Sequence, residues 1–335
     1  MHRSRVRPLA VVAALSAAAV LFLAACGSSG TAGASGSSSS SGGTQLVIGI
    51  APASAYVPVL YGVDHGYFKK QGLDATIQEA AGGAALVPEM QAGSVEIGGS
   101  NLLSVLQAQQ KGLDMKCVSG AYVSNTSSLI GSPKTGTSIK TGADLEGKTV
   151  AVNALASATQ LAVERWVKDT GGDPSKVHFV AIGFSDQASA LASGQVDAAL
   201  TDEPFTSQMI DAGYPVIDRH PANSIKQNVT FGCWVGLGSW ISGHASEIKA
   251  FSTALNNVNT YLSDHPAAFR AALVQYLKVS KAVAATSILP DVTTQLTDAD
   301  FTAWQNAAIS FGLLSGPVNL SKVNGGFSGT APANG

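Results

Sequence analysis

Short apolar runs alternate along this chain with longer segments whose apolar residues recur every three or four positions, which predicts strands and helices in turn. Residues 46–50 read as a buried strand, followed by a loop of small residues and a helix over 57–71. A strand at 76–79, a Gly82-Gly83 turn, a helix over 84–92, a strand at 97–99, a helix over 102–111 and a strand at 116–122 complete a first series. Gly93 falls at the end of its helix, where a left-handed backbone suits glycine. Polar residues 124–127 break the pattern. A second series has an extended segment at 128–131, strands at 149–152, 177–181, 198–201 and 215–217, and helices over 156–170, 185–192 and 204–212. Pro204 fits a first helical turn, where its missing N–H has no partner to lose. Such spacing predicts parallel sheets with right-handed crossovers.

The two series echo each other about one hundred residues apart. Ala53-Ser54-Ala55, after the first strand, returns as Ala156-Ser157-Ala158, and Met90-Gln91-Ala92-Gly93-Ser94-Val95-Glu96-Ile97 is answered by Leu191-Ala192-Ser193-Gly194-Gln195-Val196-Asp197-Ala198. Each half reads as strand, small-residue loop, helix, then helix, glycine turn, Val-acid, strand. The expected fold is α/β, with two similar lobes and a cleft between them. Residues 45–124 begin lobe one, 125–235 form lobe two, and the apolar segment 231–236 leads back. Residues 236–315 are C-terminal helices that largely complete lobe one, over 246–264, 266–277 and a last helix opened by a Thr297/Asp300 capping box and running to Phe311. Residues 316–335 lose periodicity and read as a frayed tail.

Composition changes the picture mainly at the N-terminus. Arg3, Arg5 and Arg7 precede an uncharged apolar run that ends in Leu23-Ala24-Ala25-Cys26, so residues 1–25 read as a secretory signal. The last four residues resemble the lipobox of bacterial lipoproteins, which makes Cys26 the expected lipidated first residue and ties the protein to the outer face of a cell membrane. Residues 26–44 then form a tether, since beyond Cys26 they hold only Gly, Ser, Thr and Ala and cannot bury apolar surface. With 13% charged and 45% apolar residues and a formal net charge of −2, the chain suits well-covered sheets and carries no nucleic-acid signature. Cys117 and Cys233 either pair or stay as two buried thiols; their positions match no metal or redox motif, which favours the thiols. His178, His220, His244 and His265 show no metal-ligand spacing, and no metal or cofactor is expected.

The runs Val47-Ile48-Gly49-Ile50-Ala51-Pro52, Gly66-Tyr67-Phe68-Lys69-Lys70-Gln71-Gly72-Leu73-Asp74 and Gly82-Gly83-Ala84-Ala85-Leu86 resemble the solute-binding proteins of the nitrate, sulfonate, taurine and thiamine-precursor group. Asp144-Leu145-Glu146-Gly147-Lys148-Thr149-Val150-Ala151-Val152, Ser193-Gly194-Gln195-Val196-Asp197-Ala198-Ala199 and Glu203-Pro204-Phe205 continue the resemblance in order over most of residues 45–275. It implies a type 2 periplasmic-binding-protein fold, two lobes joined by two crossings, a small-molecule solute between them and an ABC permease as partner. A monomer without catalytic activity is expected. The same fold also carries thiamine-pyrimidine and menaquinone-pathway enzymes, and a tethered sensor is a third reading.

Candidate ligand-binding residues follow from strand ends and helix starts. Ala53, Ser54 and Tyr56, and Ser157, Ala158 and Thr159, are the echoed loops, where free N–H groups attract polar acceptors. Ser54 and Ser157 equally suit plain N-caps. Gly82, Gly83, Ser100, Asn101 and Tyr122 end the next strands of lobe one; turn geometry accounts for the glycines as well, and core packing for Tyr122. Asp202 stands where members of the resembled group commonly carry an aromatic residue before Glu-Pro. With Glu203 it disfavours a fully anionic ligand and favours an amine, a heterocycle or another donor-rich solute, unless one acid only faces the following helix N-terminus. Trp234, on the return segment, suits stacking on a ligand or burial.

Overall fold

The computed structural model describes residues 43–80 and 83–325, so Cys26, the signal, most of the tether and Gly82 lie outside the described residues. Their predicted roles are expectations from sequence alone. Two five-stranded mixed sheets organise the chain. The first is built from β1 (Thr44–Ile50), β2 (Leu73–Glu79), β3 (Ile97–Asn101), β4 (Met115–Val123) and a late strand, Thr230–Leu237. The second uses β5 (Ser127–Gly131), β6 (Thr149–Val152), β7 (His178–Ala181), β8 (Ala198–Asp202) and β9 (Val216–Asp218), which makes the late strand β10.

The sheet orders are β2-β1-β3-β10-β4 and β7-β6-β8-β5-β9, the same arrangement twice. Four strands in each sheet run in one direction, and the strand fourth in order runs antiparallel to both its neighbours. The all-parallel expectation is corrected at this fourth position. In each sheet that position is taken by the first strand after a crossing, β10 in the first sheet and β5 in the second. The chain crosses between sheets after β4 and again before β10, and 231–236 is a full strand of the first sheet instead of a crossing segment.

The echo in sequence has a structural cause. Glu96 accepts the Val47 N–H at 2.7 Å, and its own N–H reaches Val47 O at 3.2 Å. Asp197 repeats this with Thr149, at 3.1 and 2.8 Å. Each Val-acid pair therefore ties the start of the following strand to the central parallel strand of its lobe, at Val47 of β1 and Thr149 of β6. Gly93 and Gly194 adopt φ of 73° and 81°, the left-handed turn needed to bring those acids back to the sheet.

Helices cover the sheets. Those between strands are α1 (Val57–Asp64), α2 (Gly83–Gln91), α3 (Leu102–Gln110), α4 (Ala158–Asp169), α5 (Phe184–Ser193) and α6 (Phe205–Asp211). The first is shorter than predicted, because the chain turns at 65–68 and resumes as a 3-10 turn, Lys69–Gln71. After β10 come α7 (Gly238–Ile241), α8 (Ala245–Asp264), α9 (Pro266–Leu277), α10 (Lys281–Thr286) and α11 (Asp298–Ser310), the last opened by the expected Thr297/Asp300 capping box. Phe251 of α8 meets Phe68 at 5.7 Å and Trp234 at 5.3 Å, so this helix seals the first sheet.

Two further expectations are overturned. Cys117 and Cys233, on neighbouring strands β4 and β10, form a disulfide with Cα atoms 5.8 Å apart, so they are not two free thiols. Residues 316–325, expected within a frayed tail, pack instead on β4: Cys117 N donates to Val323 O and Gly325 N to Cys117 O, each at 2.8 Å, and Val323 is fully buried. Among the described residues no helix is long and apolar enough to cross a membrane, and no cluster of three metal-ligating side chains occurs.

Candidate ligand site

A cavity of about 530 Å³ lies where the C-terminal ends of the parallel strands of both sheets meet. This is the crevice that α/β sheets offer to ligands, because strand ends and helix starts there leave main-chain groups without sheet partners. From the first sheet it receives Ala51, Pro52, Ala53 and Tyr56 after β1, Glu79 and Ala80 after β2, Ser100 and Asn101 from β3, Tyr122 from β4 and Phe231 from β10. The second sheet contributes Ser127 of β5, Asn153, Ser157, Ala158 and Thr159 after β6, Gly183, Phe184 and Ser185 after β7, Asp202 of β8 and Phe205 of α6.

Much of the lining is aromatic. Tyr122 stacks on Phe231 at 5.9 Å and meets the edge of Tyr56 at 6.0 Å, while Phe184 and Phe205 stack at 6.5 Å on the other lobe. Two glycines make room for the tyrosines: a Cβ on Gly99 would fall on the Tyr56 ring, and one on Gly232 on the Tyr122 ring. Burial pushes both phenols well above their ordinary range, and the nearby Asp202 carboxyl raises them further. Both therefore stay protonated.

The echoed loops differ in detail. Ser157 is the N-cap of α4: its Oγ accepts from Gln160 N at 3.3 Å and donates to Ala154 O at 2.6 Å. It also contacts the Thr159 hydroxyl, which donates to Asn153 Oδ1 at 2.7 Å. So Ser157 caps and lines the cavity together. Just before it, Ala156 takes φ of 53°, a strained left-handed conformation for a residue with a Cβ, and its carbonyl accepts from Gln107 of the first lobe at 3.0 Å. Ser54 is neither cap nor lining. It is fully buried in the first 3-10 turn, its Oγ has no hydrogen-bond partner, and its N–H reaches Glu203 O at 3.3 Å.

Asp202 and Glu203 separate. Asp202 lines the cavity at 6% exposure, and its Oδ1 accepts the Glu203 N–H at 2.8 Å. Burial raises its carboxyl above the usual range, and that N–H offsets this only in part. Glu203 turns away and is wholly buried. Its Oε1 accepts from Ser207 Oγ at 2.8 Å and Ile288 N at 3.2 Å, and its Oε2 from Ser207 N at 3.3 Å. Burial pushes it up to about 7. Its position at the start of α6 matches the expectation that one acid faces the helix N-terminus.

Of the predicted residues, Ala53, Tyr56, Ser100, Asn101, Tyr122, Ser157, Ala158, Thr159 and Asp202 are brought together around the cavity. Asn101 also caps α3, its Oδ1 accepting from Ser104 N at 2.9 Å. Trp234 is corrected: at 1% exposure it is wedged between Tyr56 and Phe251 and supports the lining from behind. Ser54 and Glu203 are corrected in the same way. Gly83 is the first residue of α2. Glu79, Asn153, Gly183, Phe184, Phe205 and Phe231 were missed. A signal existed for two of them, because the echo that pairs Gly93 with Gly194 also places Gly183-Phe184 opposite Gly82-Gly83.

The alkanesulfonate-binding protein SsuA from Xanthomonas axonopodis pv. citri, bound to MOPS, matches with a TM-score of 0.68 at 21% identity, over 80% of this chain and 92% of its own. The periplasmic aliphatic sulphonate binding protein SsuA from Escherichia coli gives 0.70 at 16% identity, over 83% and 96%. The periplasmic nitrate-binding protein NrtA from Synechocystis PCC 6803 gives 0.74 at 12% identity, over 84% and 86%. These likenesses establish the periplasmic-binding-protein fold. Among curated proteins none matches the chain. The family model described as NMT1/THI5 like matches residues 53–269, more than half of the sequence. With the same two-lobed fold and that match, this chain belongs to the NMT1/THI5-like family.

Proposed function

We propose that this protein is an extracytoplasmic solute-binding lipoprotein that captures a small organic solute between its lobes and delivers it to the permease of an ABC importer. The observation that carries the reading is the cavity itself, to which matched strand ends of both lobes contribute, so that a bound solute would bridge them and favour closure. The fold shared with proteins described as sulfonate- and nitrate-binding supports it. The buried Cys117–Cys233 disulfide suits an oxidising exterior, in keeping with the secretory signal and lipidation at Cys26. Binding without turnover is favoured over catalysis, because the ionisable residues of the described lining are Glu79, Asp202 and two phenols held protonated, with no basic side chain among them to activate a serine. We read the active form as a monomer.

A thermal-shift screen of the full-length chain in mild detergent tests this reading against sulfonates, nitrate, pyrimidines, amines and aromatic acids. A solute at about 100 times its Kd adds roughly 2.7 kcal/mol of stability and is recovered unchanged. A stabilising solute that is consumed would replace the binding reading with an enzyme. Cys26→Ser should release the protein from the membrane fraction without changing solute affinity.

A further inference from the structure

The cavity holds charge of one sign only. Among the described residues that line it, the charged side chains are Glu79, exposed at the rim, and Asp202, on the floor at 6% exposure. No Lys, Arg or His is found among those lining residues. Ser100 lies nearby on the same lining at 3% exposure, and its Oγ has no hydrogen-bond partner. A buried polar atom without a partner is costly unless a ligand or water supplies one. The aromatic residues of both lobes supply flat apolar surface around these polar atoms.

Helices α4 and α5 also turn their first residues toward the cavity, and their dipoles favour negative charge. Those are fractional charges, and Ser157 Oγ already occupies one N–H of α4. A sulfonate or nitrate in this cavity would bring a whole negative charge beside an acid desolvated by the fold, with no cation to offset it. A donor-bearing nitrogen group meets the opposite situation, since the Asp202 carboxyl on the lining can accept from it and the phenyl and phenol rings accept a cation on their faces.

The structure assigns this site to flat, nitrogen-bearing solutes whose amine or amidine end, cationic or neutral, donates to Asp202 while the ring packs on Tyr122, Phe231, Phe184 and Phe205, and it assigns sulfonates and nitrate to the excluded class. This assignment rests on the solute-binding reading above and narrows it. Benzamidine, benzyl alcohol and benzenesulfonate share a ring and differ in charge, so calorimetric titration of the full-length chain with the three separates the cases. Benzamidine should bind roughly tenfold or more tighter than benzenesulfonate at pH 7.5, with benzyl alcohol between them. Asp202→Asn should collapse the ratio to about twofold. Glu79→Gln, an exposed change that leaves the fold intact, should narrow it only slightly and serves if Asp202→Asn proves unstable. Benzenesulfonate binding as tightly as benzamidine, or an unchanged ratio in a folded Asp202→Asn, overturns the assignment. So does silence of all three probes while the broad screen finds an anionic solute, which would leave the solute-binding reading standing. If no solute of any charge binds, both fall.

Discussion

Replacing Glu203 by Gln should change how stability depends on pH while leaving the site's geometry in place. Glu203 is wholly buried at the start of α6, and burial raises its carboxyl from an ordinary 4.5 to about 7. A carboxyl that holds its proton more tightly in the folded state than in the unfolded one stabilises the fold at low pH. That contribution is full below the unfolded value and is lost as pH rises through the folded one. The window is therefore 4.5 to about 7, and the loss across it is about 3 kcal/mol. Asp202 and Glu164 are raised as well and act in the same direction, but both remain in the variant. Asp144, Glu146, Asp173, Glu247 and Asp300 are held below their ordinary values, so their effect falls at more acid pH. The amide oxygen still accepts from Ser207 Oγ and Ile288 N, only the long 3.3 Å bond from Ser207 N loses its acceptor, and the side chain carries no charge to desolvate. Urea unfolding of both proteins between pH 5 and 7.5 should show wild type losing stability steadily relative to Glu203→Gln. Parallel curves for the two proteins would refute the argument that Glu203 is ionised at a desolvation cost at neutral pH.

Two further changes test other parts of the structure. The Cys117–Cys233 bridge spans 116 residues, so Cys117→Ala with Cys233→Ala should lower the unfolding free energy by about 3 to 5 kcal/mol; an unchanged urea midpoint would show that the bridge does not constrain the chain. Gly99→Ala places a methyl on the Tyr56 ring and should cost about 1 to 3 kcal/mol through overpacking while weakening ligand binding, and full stability with unaltered affinity would mean that Tyr56 has other room.

The internal echo, read from sequence, already contained the two-lobed plan. Its small-residue loops, its left-handed glycines at 93 and 194 and its Val-acid pairs are local demands of a turn and a strand start, so they leave marks in the chain. Period and punctuation likewise located most strands and helices, and strand ends located Tyr56, Ser100, Asn101, Ser157 and Asp202. The antiparallel insertion of β5 and β10 into their sheets was not legible, because an apolar run pairs equally well with any open strand edge until the rest of the sheet exists. Nor was the opposite fate of two adjacent acids. Alternation along β8 and the turn into α6 send Asp202 to the cavity and Glu203 to Ser207 and Ile288, and the second of these partners lies far along the chain. Trp234 suited either stacking on a ligand or burial, and its enclosure by Tyr56 and Phe251 decides for burial. Sequence by itself determined which segments repeat and where polar groups meet strand ends. Only the tertiary structure decided which of those groups face the cavity and which brace its wall, since that depends on contacts between residues distant in sequence.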